Sequence, residues 1–139
     1  MKVYPTFTEK SMKRVICVAS LILLAANPVR AYPQLVKETR DYILYIDLGS
    51  AQTNGNLIAV DSSQDFHKKQ ILSEHSYLSS KFRNEYDCAK MMVRQIEFNI
   101  FPENMANGGV LFSETKAQDW MPLQAASAAE SLWKIVCAK

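Results

Sequence analysis

The sequence predicts an α+β fold, in which an antiparallel β-sheet of five to six strands carries a C-terminal α-helix tethered to it by a disulfide. Segments rich in β-branched and aromatic residues alternate with turn signals through the middle of the chain. Alanines and a helix-start motif are concentrated near the C-terminus. Cys88 stands at the end of a predicted strand and Cys137 at the end of the predicted helix.

Residues 1–31 have the pattern of a cleavable secretory signal peptide. Lys13 and Arg14 precede the uncharged run 15–26, and Val29-Arg30-Ala31 offers suitable residues at the −3 and −1 positions of a cleavage site. As a helix that run reaches only about 18 Å, too little for a hydrocarbon core of about 30 Å, so export is favoured over a membrane span. Met12 is an alternative start of translation.

The position of Cys17 argues against a lipid anchor, because this cysteine precedes most of the apolar run instead of following it. Cleavage would leave residues 32–139 as a single domain that is periplasmic, secreted or at the cell surface. Five of the 16 Lys/Arg and one of the 14 Asp/Glu lie in residues 1–31, which leaves 11 bases against 13 acids. A domain with this balance lacks the clustered basic charge that nucleic acid or anionic lipid requires, so we expect neither partner and no stable membrane insertion.

The first strands are marked by composition and turns. Residues 41–48 are dense in aromatic and β-branched residues, and Asn54-Gly55-Asn56 predicts a tight turn into a return strand at residues 57–60. The polar segment 61–77 has little to bury, and we interpret it as a short continuation of the strand followed by an exposed loop.

Residues 79–88 and 91–101 are predicted to form two strands joined by a bend near Ala89-Lys90. Met92, Ile96, Phe98 and Ile100 share one parity, although a helix over the second segment stays open. Asn107-Gly108-Gly109 predicts a turn, after which residues 110–115 form another strand.

The helix is predicted to begin near Ala128, because Ser127 and Glu130 have the spacing of a capping box. Four residues then share one helical face: Ala129, Trp133, Val136 and Cys137. We expect this face to pack on the sheet.

Without the signal peptide the chain retains two cysteines, Cys88 and Cys137, and an even pair in an exported domain indicates one disulfide. The alternatives are a zinc site with His67 and His75, which lacks the usual ligand spacing, and a catalytic thiol, which lacks a CxxC motif.

Motifs of the common enzyme classes are absent from the sequence, and we expect no catalytic residue, no metal and no cofactor. Asp41 and Asp47 could form an acid–base pair, but solvated strand ends are the favoured interpretation. The exposed run His67-Lys68-Lys69 could bind an acidic partner or simply be solvated. Core packing is favoured over binding for Trp120 and Trp133. Arg94 shares the parity of apolar residues, so it needs a partner such as Glu85 or Asp87, unless its head reaches water.

A series of short motifs resembles the surface-adhesin protein E family over nearly the whole of residues 32–139. In chain order they are Tyr45-Ile46-Asp47, Gly55-Asn56, Asp65-Phe66, Ser80-Lys81, Glu85-Tyr86-Asp87-Cys88, Arg94, Met105 with Gly108 or Gly109, Trp120-Met121-Pro122, Ser127 and Leu132-Trp133-Lys134-Ile135-Val136-Cys137. The resemblance implies an antiparallel sheet with a C-terminal helix held by a disulfide between Cys88 and Cys137. It also implies binding of host matrix or serum proteins such as vitronectin, laminin and plasminogen, and a capacity to form homodimers.

Two departures separate this sequence from that family. It has no lipobox, and Asp61-Ser62-Ser63 stands where relatives usually carry apolar residues. We therefore expect an exported, non-enzymatic bacterial protein that acts as an adhesin-like binding module, with a concave or flat sheet face and unpaired aromatic residues. The alternative is a periplasmic inhibitor of an enzyme, which would use a protruding polar loop within residues 61–76. An enzyme of another type would show a deep cleft.

Overall fold

The computed structural model describes residues 33–138, and the predicted signal peptide lies outside this range. Seven strands and two helical segments follow in the order β1 (Gln34–Glu38), β2 (Tyr42–Asn54), β3 (Leu57–Leu72), β4 (His75–Asp87), β5 (Met92–Phe101), a 3₁₀ turn (Asn104–Ala106), β6 (Phe112–Glu114), β7 (Met121–Pro122) and α1 (Ala128–Val136). Strands β1 to β6 lie side by side in chain order, all antiparallel, and β7 pairs with β5 beside β6. The predicted fold class is confirmed.

Strand β3 continues far beyond the point at which the sequence predicts a loop. The prediction of an exposed loop within residues 61–77 is wrong. These residues belong to β3 and β4, which are joined by a two-residue turn at Ser73-Glu74. Ser73 adopts a positive φ of 54° there, a conformation usually supplied by Gly or Asn. We call residues 66–78 the arm, because their pairing lies beyond a break in the β3–β4 register.

The two faces of the sheet differ in chemistry. Side chains of directly paired residues project to the same face, so the register assigns each residue to one of the two. On the helix face, one cluster of buried side chains joins the sheet to α1: Leu44, Ile46, Val60, Tyr86, Val93 and Leu132. Burial raises the pKa of the Tyr86 phenol to about 12, which keeps this group neutral in the core. We call the opposite face the open face.

An extra residue in β5 separates Arg94 from Phe98 and Ile100, two of the apolar side chains whose parity it shares. Gln95 pairs with Asn84 and Glu97 with Arg83, so Ile96 is a bulge that inverts the alternation. The interpretation that Arg94 lies on the apolar face is therefore wrong, and it projects from the open face. Its expected partner is present, because Arg94 Nε donates to Glu85 Oε2 at 2.7 Å.

Helix α1 begins at its predicted residue and is held at both ends. Ser127 Oγ accepts from the Glu130 backbone N–H at 3.1 Å, and Glu130 Oε2 accepts from the Ala126 N–H at 2.8 Å. These bonds form a capping box displaced by one residue, and the bond from Ala126 lowers the pKa of Glu130. At the other end, Cys137 forms a disulfide with Cys88, which directly follows β4.

The turn before β6 makes Gly108 a position where a side chain is not tolerated. Its φ is +84°, and a Cβ atom there would lie 2.5 Å from Pro102 Cγ. We expect Gly108→Ala to lower the free energy of unfolding by about 1–3 kcal/mol, measured by urea denaturation.

The neighbouring Gly109 is a matched control. A Cβ atom at Gly109 would meet nothing within 4 Å, so Gly109→Ala is expected to change stability by less than about 0.5 kcal/mol. Equal urea midpoints for the two variants would contradict the steric argument.

Candidate functional site

The helix face is concave near β5 and β6, where a cavity of about 310 Å³ opens to solvent. Its lining contains no residue of α1 and consists of Leu72, Gln95, Phe98, Phe112, Glu114 and Gln118. We call this cavity the concave site. It lies between the sheet and the tip of the arm, since Leu72 is the last residue of β3.

A bulge of several residues in β3 bends the arm toward the sheet. Residues 66–69 of β3 stand opposite the single residue Leu78 of β4, and such an excess on one strand bends a hairpin. The side-chain amide of Asn104 donates to the carbonyls of Phe66 and Leu78, each at 3.2 Å. Phe66 and Tyr77 pack edge to face with ring centroids 5.6 Å apart. These contacts fix the arm in its bent position.

Apolar side chains dominate the concave site and its border. The rings of Phe98 and Phe112 have centroids 6.5 Å apart, and the Phe112 residue is 39% exposed. Ile71, one residue before Leu72, is 73% exposed at the tip of the arm. Ile71 projects to the face of the arm opposite Leu72, so the apolar part of the site consists of Leu72, Phe98 and Phe112. Aromatic and aliphatic side chains grouped in this way are typical of surfaces that bind other proteins.

Polar groups form the rim of the concave site. The Gln118 backbone N–H donates to the Gln95 carbonyl at 2.9 Å, which holds the segment between β6 and β7 against β5. Glu114 Oε1 accepts from the Lys116 backbone N–H at 2.9 Å. An apolar floor with a polar rim is the usual composition of a protein–protein interface.

The carboxylates considered as an acid–base pair are not brought together. Asp41 precedes β2 and Asp47 lies six positions further along it, so their Cα atoms are separated by roughly 20 Å. Asp47 Oδ1 accepts from the Gly49 backbone N–H at 3.0 Å, a local turn contact. The favoured interpretation, solvated strand ends, fits this geometry.

The remaining candidates fall on different parts of the surface. His67, Lys68 and Lys69 are all exposed in the bulge at the base of the arm. Trp120, for which the sequence favoured core packing, instead lies over the Arg94 guanidinium, whose Cζ is 4.6 Å from the ring centroid. Trp133 packs against the core cluster, as expected.

Two further observations concern only residues 33–138. No group of three or more His, Cys, Asp or Glu side chains within this range is arranged to hold a metal ion. Within the same described range, α1 is short and no helix has the length and apolar character needed to cross a membrane.

Sequence reasoning did not find the concave site. The sequence placed Phe98 on the apolar parity of one predicted strand and Phe112 within another, without indicating that the two rings meet. Leu72 reaches these two rings only because the arm bends. Residues 66–69 contain no glycine or proline, so nothing in the sequence signals this bend.

The architecture defines a class of small domains in which one antiparallel sheet carries a C-terminal helix fastened by a disulfide. The chain belongs to the surface-adhesin protein E family, whose model matches residues 32–138.

Solved structures of protein E from Haemophilus influenzae have a similar fold. Its crystal form II matches with a TM-score of 0.57 at 18% identity, covering 79% of this chain and 96% of that chain. A second structure of the same protein matches with a TM-score of 0.55 at 17% identity, covering 78% of this chain and 92% of that chain. No curated protein matches the chain.

Proposed function

We propose that this chain is a non-enzymatic binding module of the adhesin type, which recognises a host matrix or serum protein through the concave site. Membership of a surface-adhesin family supports the general role. The observation that carries the proposal is the pair Phe98 and Phe112, which lines the concave site beneath the arm and leaves Phe112 39% exposed. Export by a signal peptide at residues 1–31, with residues 32–139 as the binding domain, is part of the same proposal.

The concave site suits an apolar side chain of a folded or extended protein partner. If an apolar side chain of the partner inserted beside Phe112, it would remove the exposed part of this ring from water. Aromatic residues in pockets of this kind contribute much of the binding energy of protein interfaces. The arm supplies a second wall through Leu72. The bends and hydrogen bonds that fix the arm reduce the entropy lost on binding.

The alternative role, a periplasmic inhibitor of an enzyme, is less well supported. It depends on a protruding polar loop within residues 61–76, and this segment forms the paired strands β3 and β4 instead. The two strands are joined by the two-residue turn at Ser73 and Glu74, which is too short to form a protruding loop.

Phe112→Ala is expected to weaken binding to the recognised matrix or serum protein at least tenfold, or about 1.4 kcal/mol. The measurement is surface plasmon resonance of the purified protein over immobilised vitronectin, laminin and plasminogen. Because Phe112 is already 39% exposed, we expect the same change to cost only about 1 kcal/mol of folding stability.

Leu35→Ala is the control, since Leu35 is 59% exposed on β1 at the other edge of the sheet. It should leave binding unchanged. Unaltered binding by Phe112→Ala, or an equal loss in both variants, would remove the concave site from the proposal.

A further inference from the structure

The open face of the sheet holds a cavity of its own, of about 290 Å³, on the side opposite α1 and the concave site. Five polar side chains from three adjacent strands line it: Asp61, Lys81, Arg83, Glu97 and Asn99. Phe101 and Val110 add apolar surface to the same cavity.

Strand register arranges these polar groups in two rows across β3, β4 and β5. In one row Arg83 lies between Asp61 and Glu97, and in the next row Lys81 lies between Ser63 and Asn99. Backbone pairing sets the arrangement of these residues, so their side chains leave the same face of the sheet at fixed spacings.

Some of these groups are already paired. Arg83 Nη1 contacts Asp61 Oδ1 at 2.5 Å, and its Nη2 donates to the Ser50 carbonyl at 3.3 Å. Asn99 Nδ2 donates to Glu97 Oε1 at 2.8 Å. These contacts orient Arg83, Glu97 and Asn99 within the cavity.

Lys81 differs from its neighbours, because no carboxylate in residues 33–138 lies within ion-pair distance of its ammonium group. It also lines an adjoining cavity of about 130 Å³, together with Asp47 and Ser63. Lys81 therefore offers unused hydrogen-bond donors at the junction of the two cavities.

The charges of the main cavity cancel, with two carboxylates against two cationic groups. An anionic ligand would meet Asp61 and Glu97, and a cationic one would meet Lys81 and Arg83. A neutral molecule that both donates and accepts hydrogen bonds fits this lining, as vicinal hydroxyl groups do. The cavity volume of about 290 Å³ lies just below the roughly 300–1,000 Å³ typical of ligand sites, which suits a small ligand.

We propose that this cavity binds a neutral sugar residue, with Lys81, Glu97 and Asn99 bonded to its hydroxyl groups and its C–H face against Val110. The sugar site and the concave site lie on opposite faces of the sheet, so each can be tested without the other.

Saturation-transfer NMR of the purified protein with methyl glycosides of glucose, galactose and mannose tests the proposal. We expect transfer to at least one glycoside, with a Kd of about 1 mM. Lys81→Met and Asn99→Ala should each weaken this binding about tenfold, because each removes groups that would bond the hydroxyls.

Lys69→Met and Asn107→Ala are matched controls at exposed positions outside the cavity, and they should bind as the wild type does. Circular dichroism melts establish that every variant is folded. The proposal is overturned if the folded wild type shows no transfer at about 20 mM glycoside. Equal binding by all four variants, or a preference for the charged sugar N-acetylneuraminic acid over the neutral glycosides, would also overturn it.

Discussion

Replacing both Cys88 and Cys137 with serine is expected to lower the free energy of unfolding by about 4 kcal/mol. The disulfide joins residues 49 positions apart and restricts the unfolded chain by closing this loop. Since small domains have a total stability of about 5–15 kcal/mol, the variant should be only marginally folded. Urea denaturation followed by tryptophan fluorescence measures the difference.

The reduced wild type provides the comparison, because reduction opens the same loop without changing the sequence. It should unfold at nearly the same urea concentration as the double variant. If the double variant and the oxidised wild type unfold together, the disulfide does not stabilise the domain.

Leu132→Ala is expected to cost about 2–5 kcal/mol, because Leu132 is the one fully buried side chain of α1 and the change leaves a cavity among Leu44, Ile46 and Tyr86. The loss should appear as a lower urea midpoint with reduced helical circular dichroism. Ile135→Ala is the control on the same helix, since Ile135 is 39% exposed and should lose less than about 1 kcal/mol.

Trp133 provides a second comparison. The sequence favoured this residue as the anchor of the helix, but it is only partly buried, and its indole Nε1 is enclosed without a hydrogen-bond partner in the described residues. Truncation of Trp133 to alanine removes apolar contacts, which lowers the free energy of unfolding. It also removes the unpaired indole N–H, whose burial costs about 1–3 kcal/mol of folding stability. Trp133→Ala should therefore destabilise less than Leu132→Ala, and the reverse order would show that the indole is the main anchor.

Much of the fold was predictable because local signals agreed with tertiary structure. Gly55 lies between β2 and β3 with a φ of +59°, as a tight turn requires, and Ser127 caps α1 as the capping box predicts. The alternation of apolar residues in 91–101 correctly favoured a strand over a helix.

The elements that the sequence did not predict have separate physical causes. Strand β1 and the outer part of β3 are rich in polar or exposed side chains, because they lie at an edge or in the arm, where one face needs no apolar cover. The turn at Ser73 uses a residue that rarely adopts its conformation, so composition gave no sign of it. The bulge at Ile96 is a pairing irregularity, and a parity count cannot detect it.

The candidate site was less accessible to prediction than the fold. The sequence indicated a sheet face with aromatic residues, but not which residues α1 would leave uncovered. Phe112 and Leu72 are 40 positions apart and line one cavity only because the arm bends. Long-range contacts of this kind have no local signature.

The order of the strands also bears on how the chain assembles. Each of β1 to β6 pairs with the strand next to it in sequence, so every new strand can add to a hairpin that already exists, without closing a long loop. Cys137 belongs to the last element, whereas Cys88 ends the fourth strand. The sheet can thus form while both cysteines are still reduced. The disulfide can form only after α1 has docked in its native place and brought Cys137 to Cys88.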